Sequence, residues 1–258
     1  MPFVSTPNGK LFYAEKDEPL SPYPPLILVH GAGVDHSGWS AEIRRLPDMR
    51  VLALDLPGHG QSEGAGYQSV TAYAESIKTF IDALKIEKAI IAGHSMGGAI
   101  AQTMAVSMPT RVAGLILVGT GAKLGVNPTL IETIKNDYPA AVELMTKWEW
   151  AKETSDDLRR MGRKQLLATP STVTYGDFVA CSLYDLSDAV AKIQVPTLII
   201  GGGADKMTPF TLSEDLAKQI PNSTLVKIEG AGHKMPMERP QEVAQAILRW
   251  VESPTLKW

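Results

Sequence analysis

Residues 88–108, KAIIAGHSMGGAIAQTMAVSM, constrain this chain more than any other stretch. Residues 89–92 form a short apolar run of the kind that makes a strand buried on both faces. Residues 99–108 switch to helix formers and end at Pro109, which cannot continue a helix. Between them, Gly93-His94-Ser95-Met96-Gly97 fits G-x-S-x-G, a pattern that makes physical sense at a sharp strand-to-helix turn. Glycines two residues either side of Ser95 let the two backbones pass closely, and Gly98 adds room. The serine is forced into an unfavourable backbone conformation, with its hydroxyl at the helix N-terminus. The alternative for this stretch is a glycine-rich turn carrying an incidental serine, so the rest of the chain decides.

The same alternation runs through most of the sequence. Residues 3–5 and 11–13 flank the turn signal Asn8-Gly9 and predict an opening hairpin. Residues 26–29 predict the first fully buried strand, ending in His30-Gly31-Ala32-Gly33. A short helix over 39–46 and a strand over 51–54 precede the loop Asp55-Leu56-Pro57-Gly58-His59-Gly60-Gln61-Ser62. Residues 70–84 carry apolar side chains at helical spacing, and residues 112–119 read as another buried strand. From 121 to about 190 the β runs vanish and helix-like segments carry Met145, Trp148, Trp150, Met161 and Phe178, which marks an insertion. Alternation resumes with strands over 196–200 and 224–228 and helices over 212–219 and 241–251. Buried strands alternating with helices predict an α/β fold with a mostly parallel, doubly wound sheet.

Bulk properties exclude several classes. The 258 residues are long enough to bury a large core. A net charge of −3, from 25 basic and 28 acidic residues, gives no electrostatic case for nucleic acid or an anionic membrane. No run approaches the ~20 apolar residues of a membrane span, and the first residues lack the features of a signal peptide. The single Cys181 excludes an internal disulfide and fits a reducing compartment. The expected setting is the cytoplasm, as a monomer or small homo-oligomer.

Ligands of open parallel sheets bind beyond the carboxyl ends of the strands, and the polar residues cluster there. A serine nucleophile needs a base to take its proton and a carboxylate to orient that base. Asp205 follows the strand over 196–200, and His233 follows the strand over 224–228. The order Ser95…Asp205…His233, each after a separate strand, is the order of α/β-hydrolases. The chain resembles the α/β-hydrolase superfamily along nearly its whole length, through His30-Gly31, the loop from Asp55 to Ser62, Gly93 to Gly98, Gly203-Ala204-Asp205 and Gly230-Ala231-Gly232-His233. The resemblance implies a triad of Ser95, Asp205 and His233. It also implies a hydrolase core over 1–120 and 191–258, with 121–190 as a helical cap inserted between core strands.

An acyl-transfer site needs preorganised oxyanion donors; the backbone N–H groups of Met96 and Ala32 are the candidates. Asp55 is a rival acid, but its loop resembles a structural turn. His94 is expected to point away from Ser95, and His36 and His59 to be loop residues. No metal-ligand spacing is present, so no metal and no cofactor are expected. Gly31, His94, Met145, Trp148 and Phe178 are candidate pocket residues, along with Trp150 and Cys181; the bland alternative is that they pack the cap. Serine at the elbow disfavours epoxide opening and halide displacement, which use aspartate there in relatives. The expected activity is hydrolysis of small to medium, uncharged and partly hydrophobic carboxylic esters, with a small-molecule ester as the partner. Lactonases, C–C hydrolases, perhydrolases and triad-bearing ligand receptors resemble the chain as well. Hydroxynitrile lyases share a lysine after the catalytic histidine, here Lys234, but not glycine at position 31, and Lys234 reads more simply as a surface or rim lysine.

Overall fold

A strand that is apolar on both sides has to be covered on both sides, and the computed structural model, which describes residues 3–256, does so with helices on the two faces of one sheet. The opening hairpin pairs β1 (Phe3–Thr6) with β2 (Gly9–Lys16). The chain continues through β3 (Leu26–Val29), α1 (Ala41–Arg44), β4 (Val51–Leu54) and α2 (Val70–Ala83) to β5 (Ala89–His94), α3 (Met96–Ser107) and β6 (Val112–Val118). Four helices then intervene: α4 (Pro128–Asn136), α5 (Tyr138–Glu149), α6 (Asp156–Ala168) and α7 (Ser171–Leu183). The sheet resumes with β7 (Thr197–Gly202), α8 (Phe210–Gln219) and β8 (Ser223–Ile228), and the chain closes on α9 (Met235–Glu238) and α10 (Pro240–Val251).

The strand order is β1-β2-β4-β3-β5-β6-β7-β8. All pairs from β4 to β8 are parallel, while β2 runs antiparallel to both β1 and β4. Side chains alternate across the strands with period two. Ile27, Val29, Ile91, Leu115 and Leu117 therefore enter one core with Phe80, Ile81, Ile100 and Met104 of α2 and α3. Leu26, Leu28, Ile90, Ala92, Ile116 and Val118 enter the other with Trp39, Ile43 and Ile247. The mostly parallel α/β sheet predicted from the sequence is thus the sheet observed.

The four helices between β6 and β7 have their own apolar cluster. Leu130, Ile134, Ala141, Val142, Met145, Leu166 and Phe178 pack together, and Val34 from the loop after β3 joins them. Polar caps start the first three: Asn127 accepts from the Thr129 N–H, Asp137 from the Ala140 N–H and Ser155 from the Leu158 N–H. Two boundaries differ from expectation. The helix after Ser95 begins at Met96, so the glycines are inside its first turn rather than before it. A short α9 also follows His233, with Pro236 in its first turn where a missing N–H costs nothing.

Candidate active site

Parallel strands bring their carboxyl ends to one edge, so the loops after β3, β5, β6, β7 and β8 meet there. Ser95 sits between β5 and α3 with φ 55° and ψ −117°, a conformation costing about 1–3 kcal/mol in a non-glycine residue. Four hydrogen bonds to its own peptide groups hold it there. Its N–H donates to the Val118 carbonyl at 2.9 Å, and its carbonyl accepts from the N–H groups of Gly98 and Ala99 at 2.8 and 3.2 Å and from Thr120 Oγ1 at 3.0 Å. The flanking glycines are required by contact. A Cβ at Gly93 would stand 2.0 Å from the Gly97 carbonyl oxygen, and one at Gly97 2.3 Å from the Val29 carbonyl oxygen. Met96 opens α3, where the first N–H groups have no intrahelical acceptor.

His233 Nδ1 lies 2.9 Å from Asp205 Oδ2. An ionised carboxylate only accepts, so Nδ1 carries a proton and the neutral form of the ring has its lone pair at Nε2. Thr208 Oγ1 donates to the same Oδ2 at 2.7 Å and stands 3.1 Å from Nδ1, while the N–H groups of Met207 and Thr208 donate to Oδ1 at 2.8 and 2.9 Å. Burial works to raise the Asp205 carboxyl. The neighbouring His233 ring and the Thr208 donors outweigh it and hold Asp205 below the usual carboxylate range. Ser95 and His233 line one cleft together with Gly31, Ala32, His94, Phe178 and Cys181.

The other histidines have local roles. His94 Nε2 donates to the carbonyl oxygen of His233 at 2.8 Å, and burial pushes its pKa well below the ordinary imidazole value. It is therefore a neutral prop under the His233 backbone. His30 Nε2 accepts the Leu56 N–H at 3.0 Å and Nδ1 donates to the Gly31 carbonyl; burial, with the neighbouring His59, lowers its pKa to about 4. Asp55 makes no contact with His233. Its Oδ1 accepts from the N–H and Nδ1 of His36, both at 2.7 Å, and its Oδ2 from the Gln61 N–H at 2.9 Å, so it locks its own loop. Asp35, His36 and Asp55 converge within 4.8 Å, where these hydrogen bonds engage both oxygens of Asp55 and Ser37 donates to Oδ1 of Asp35.

Several placements add to or depart from expectation. His59 lies in the loop between β4 and α2, as expected, and is fully buried there. Its Nε2 lies 2.8 Å from Asp177 Oδ2 on α7 and its Nδ1 3.1 Å from the Pro57 carbonyl, two acceptors that require an imidazolium. Burial alone would lower its pKa, but the charge and hydrogen bond of Asp177 raise it. Asp177 also accepts from Tyr73 Oη at 2.6 Å and from the Gly33 N–H, beside Ala32, at 2.8 Å. Lys234 is no rim lysine: it is 4% exposed, its Nζ lies 3.3 Å from Glu149 Oε1, and both residues line the cleft. A wholly uncharged cleft is therefore not what the chain builds. Met145 and Trp148 do not line it. Met145 is fully buried in the apolar cluster of the four helices, with Trp148 packed against it. Asp177 and Glu149 escaped sequence reasoning because an isolated acid in a mixed helix has no local signature.

Comparison with known proteins accords with the fold. The alpha/beta hydrolase family model matches residues 26–246, and the chain belongs to that family. It is 31% identical to the AB hydrolase superfamily protein YisY of Bacillus subtilis, over 89% of this chain and 92% of the relative. It is 27% identical to 3-oxoadipate enol-lactonase 1 of Acinetobacter baylyi, over 97% of this chain and 96% of the relative. Among solved structures, the esterase EaEST from Exiguobacterium antarcticum matches with a TM-score of 0.89 at 25% identity, covering 97% of this chain and 99% of that one. Esterase- and lactonase-like relatives support a hydrolase. Among the described residues, no helix is long and apolar enough to cross a membrane.

Proposed function

We propose that the chain is a carboxylic ester hydrolase working through Ser95, His233 and Asp205, with the four-helix insertion as a cap over the cleft. The observation that carries this reading is a strained serine and a histidine, oriented by a buried carboxylate, on one cleft. Ser95 Oγ attacks the ester carbonyl carbon while its proton passes to His233 Nε2. The carbonyl oxygen becomes an oxyanion, held by the N–H groups of Met96 and Ala32. Collapse breaks the bond to the alcohol oxygen, which leaves with the proton from Nε2, and the acyl group stays on Ser95. Water then attacks the acyl-enzyme, passing its proton to Nε2, and the acid is released as the proton returns to Ser95. Asp205 keeps the imidazolium oriented through both halves. The same steps open a cyclic ester, and the likeness to an enol-lactonase supports a lactone as an alternative substrate.

The test pairs kinetics with mass. A stopped-flow run on p-nitrophenyl acetate and butyrate is expected to show a burst followed by turnover, and an organophosphonate is expected to add once, on Ser95. Ser95→Ala should abolish both, and Asp205→Asn should lower kcat by about 10⁴ with the fold intact. Near-normal activity in Asp205→Asn would sink the assignment of the acid; an adduct anywhere but Ser95 would sink that of the nucleophile.

A further inference from the structure

Ester hydrolysis by the triad leaves one pair of charges in the cleft without a task. Glu149 ends α5, Lys234 directly follows His233, and both line the cleft while only 4% exposed. They are fixed by backbone as well as side chain: the Lys234 N–H donates to the Glu149 carbonyl at 3.0 Å. Glu238 Oε2 accepts from the N–H groups of Gly232 and Ala151 at 3.0 and 3.3 Å, clamping the chain on either side. The backbone that carries the pair is therefore held in place. Yet while Glu149 Oε1 faces Lys234, Glu149 Oε2 is buried with no hydrogen-bond partner. A buried carboxylate oxygen without a donor is costly, and because Glu149 lines the cleft, a ligand seated there is the group that can bring one.

We propose that Glu149 and Lys234 form a subsite for a hydroxyl group, and that the preferred substrates are short-chain hydroxyacyl esters. The proposal rests on the ester-hydrolase reading for its reaction. A hydroxyl donates one hydrogen bond and accepts others, so it can give its proton to Glu149 Oε2 and receive one from Lys234 Nζ. The pair is neutral overall. A substrate carboxylate would meet Glu149 as a like charge, an ammonium would meet Lys234, and a plain alkyl chain would leave Oε2 unpaired. The cavity of about 50 Å³ is small, so the hydroxyl and the ester carbonyl must be a few bonds apart.

The test measures kcat/KM for ethyl 3-hydroxybutyrate, ethyl butyrate, monoethyl succinate and ethyl 3-acetamidobutyrate, the last offering an amide N–H in place of the hydroxyl. The wild type is expected to prefer the hydroxy ester over ethyl butyrate by about tenfold or more, with the succinate poorest. In Glu149→Leu/Lys234→Met, which leaves no unpaired buried charge, the ratio of hydroxy to plain ester should fall to about one. Glu149→Gln keeps the shape and should lower the ratio severalfold, which covers misfolding of the double variant. Equal rates on the two esters in the wild type, a preference for the succinate or the amide, or an undiminished ratio in both variants would overturn the proposal. Calorimetric binding of the same esters to Ser95→Ala separates the two readings. Tighter binding of the hydroxy ester without wild-type turnover would uphold the subsite and defeat the hydrolase; turnover without discrimination would do the reverse.

Discussion

At the scale of single residues, the elbow is governed by contacts that leave no room for a methyl group. Gly97 faces the backbone oxygens of Val29 and His30, which belong to a buried strand and the residue after it and cannot retreat. Gly97→Ala is expected to cost about 2–3 kcal/mol, read as a Tm about 5–10 °C lower. Gly125→Ala is the control: nothing lies within 4 Å of its Cβ position, and its Tm should match the wild type. A Tm unchanged by Gly97→Ala would mean that β3 and α3 do not meet as described. This requirement is why the elbow was legible in the sequence, since the spacing of Gly93, Ser95 and Gly97 is imposed within a few residues. Lys234 was not legible for the opposite reason. Its burial depends on Glu149, which arrives from another part of the chain, and a lysine read alone defaults to the surface.

At the scale of elements, α7 does more than pack. Asp177 carries a negative charge into contact with His59, Tyr73 and the Gly33 N–H, tying the insertion to the loop that holds Ala32. Because the folded state raises the pKa of His59, this histidine's stabilisation is complete below its unfolded value, about 6.5, and is lost as pH rises through the folded value. Asp177→Asn should destabilise the chain by about 3 kcal/mol at low pH, and the gap from wild type should narrow as pH rises. Calorimetric Tm from pH 5 to 9 checks this; a gap independent of pH would count against an imidazolium at His59. The sequence placed β3 to β7 and α2 well, because runs of four or more buried residues and a clean helical period are local signals. It could not sort the faces of the insertion's helices. Met145 and Phe178 read alike in the sequence, yet one is interior to the insertion's apolar cluster while the other reaches the cleft.

At the scale of the whole molecule, a parallel sheet gathers distant residues at one edge, and the helices between β6 and β7 lend Glu149, Phe178 and Cys181 to the cleft there. The lone Cys181, on α7, is buried and lines the cleft. Burial first, then the nearby Asp177 charge, push its pKa up, so it stays a sluggish thiol while it is buried. Because the chain has no other cysteine, its rate of reaction with an aromatic disulfide reagent becomes a clock for how often Cys181 is exposed to solvent. That clock should run far slower in the native chain than in urea, and slower again once an organophosphonate occupies Ser95. Identical rates with and without the adduct would mean that the reagent arrives by another route. The thiol thus offers a single-site stopwatch for that exposure, written into the protein without any label added.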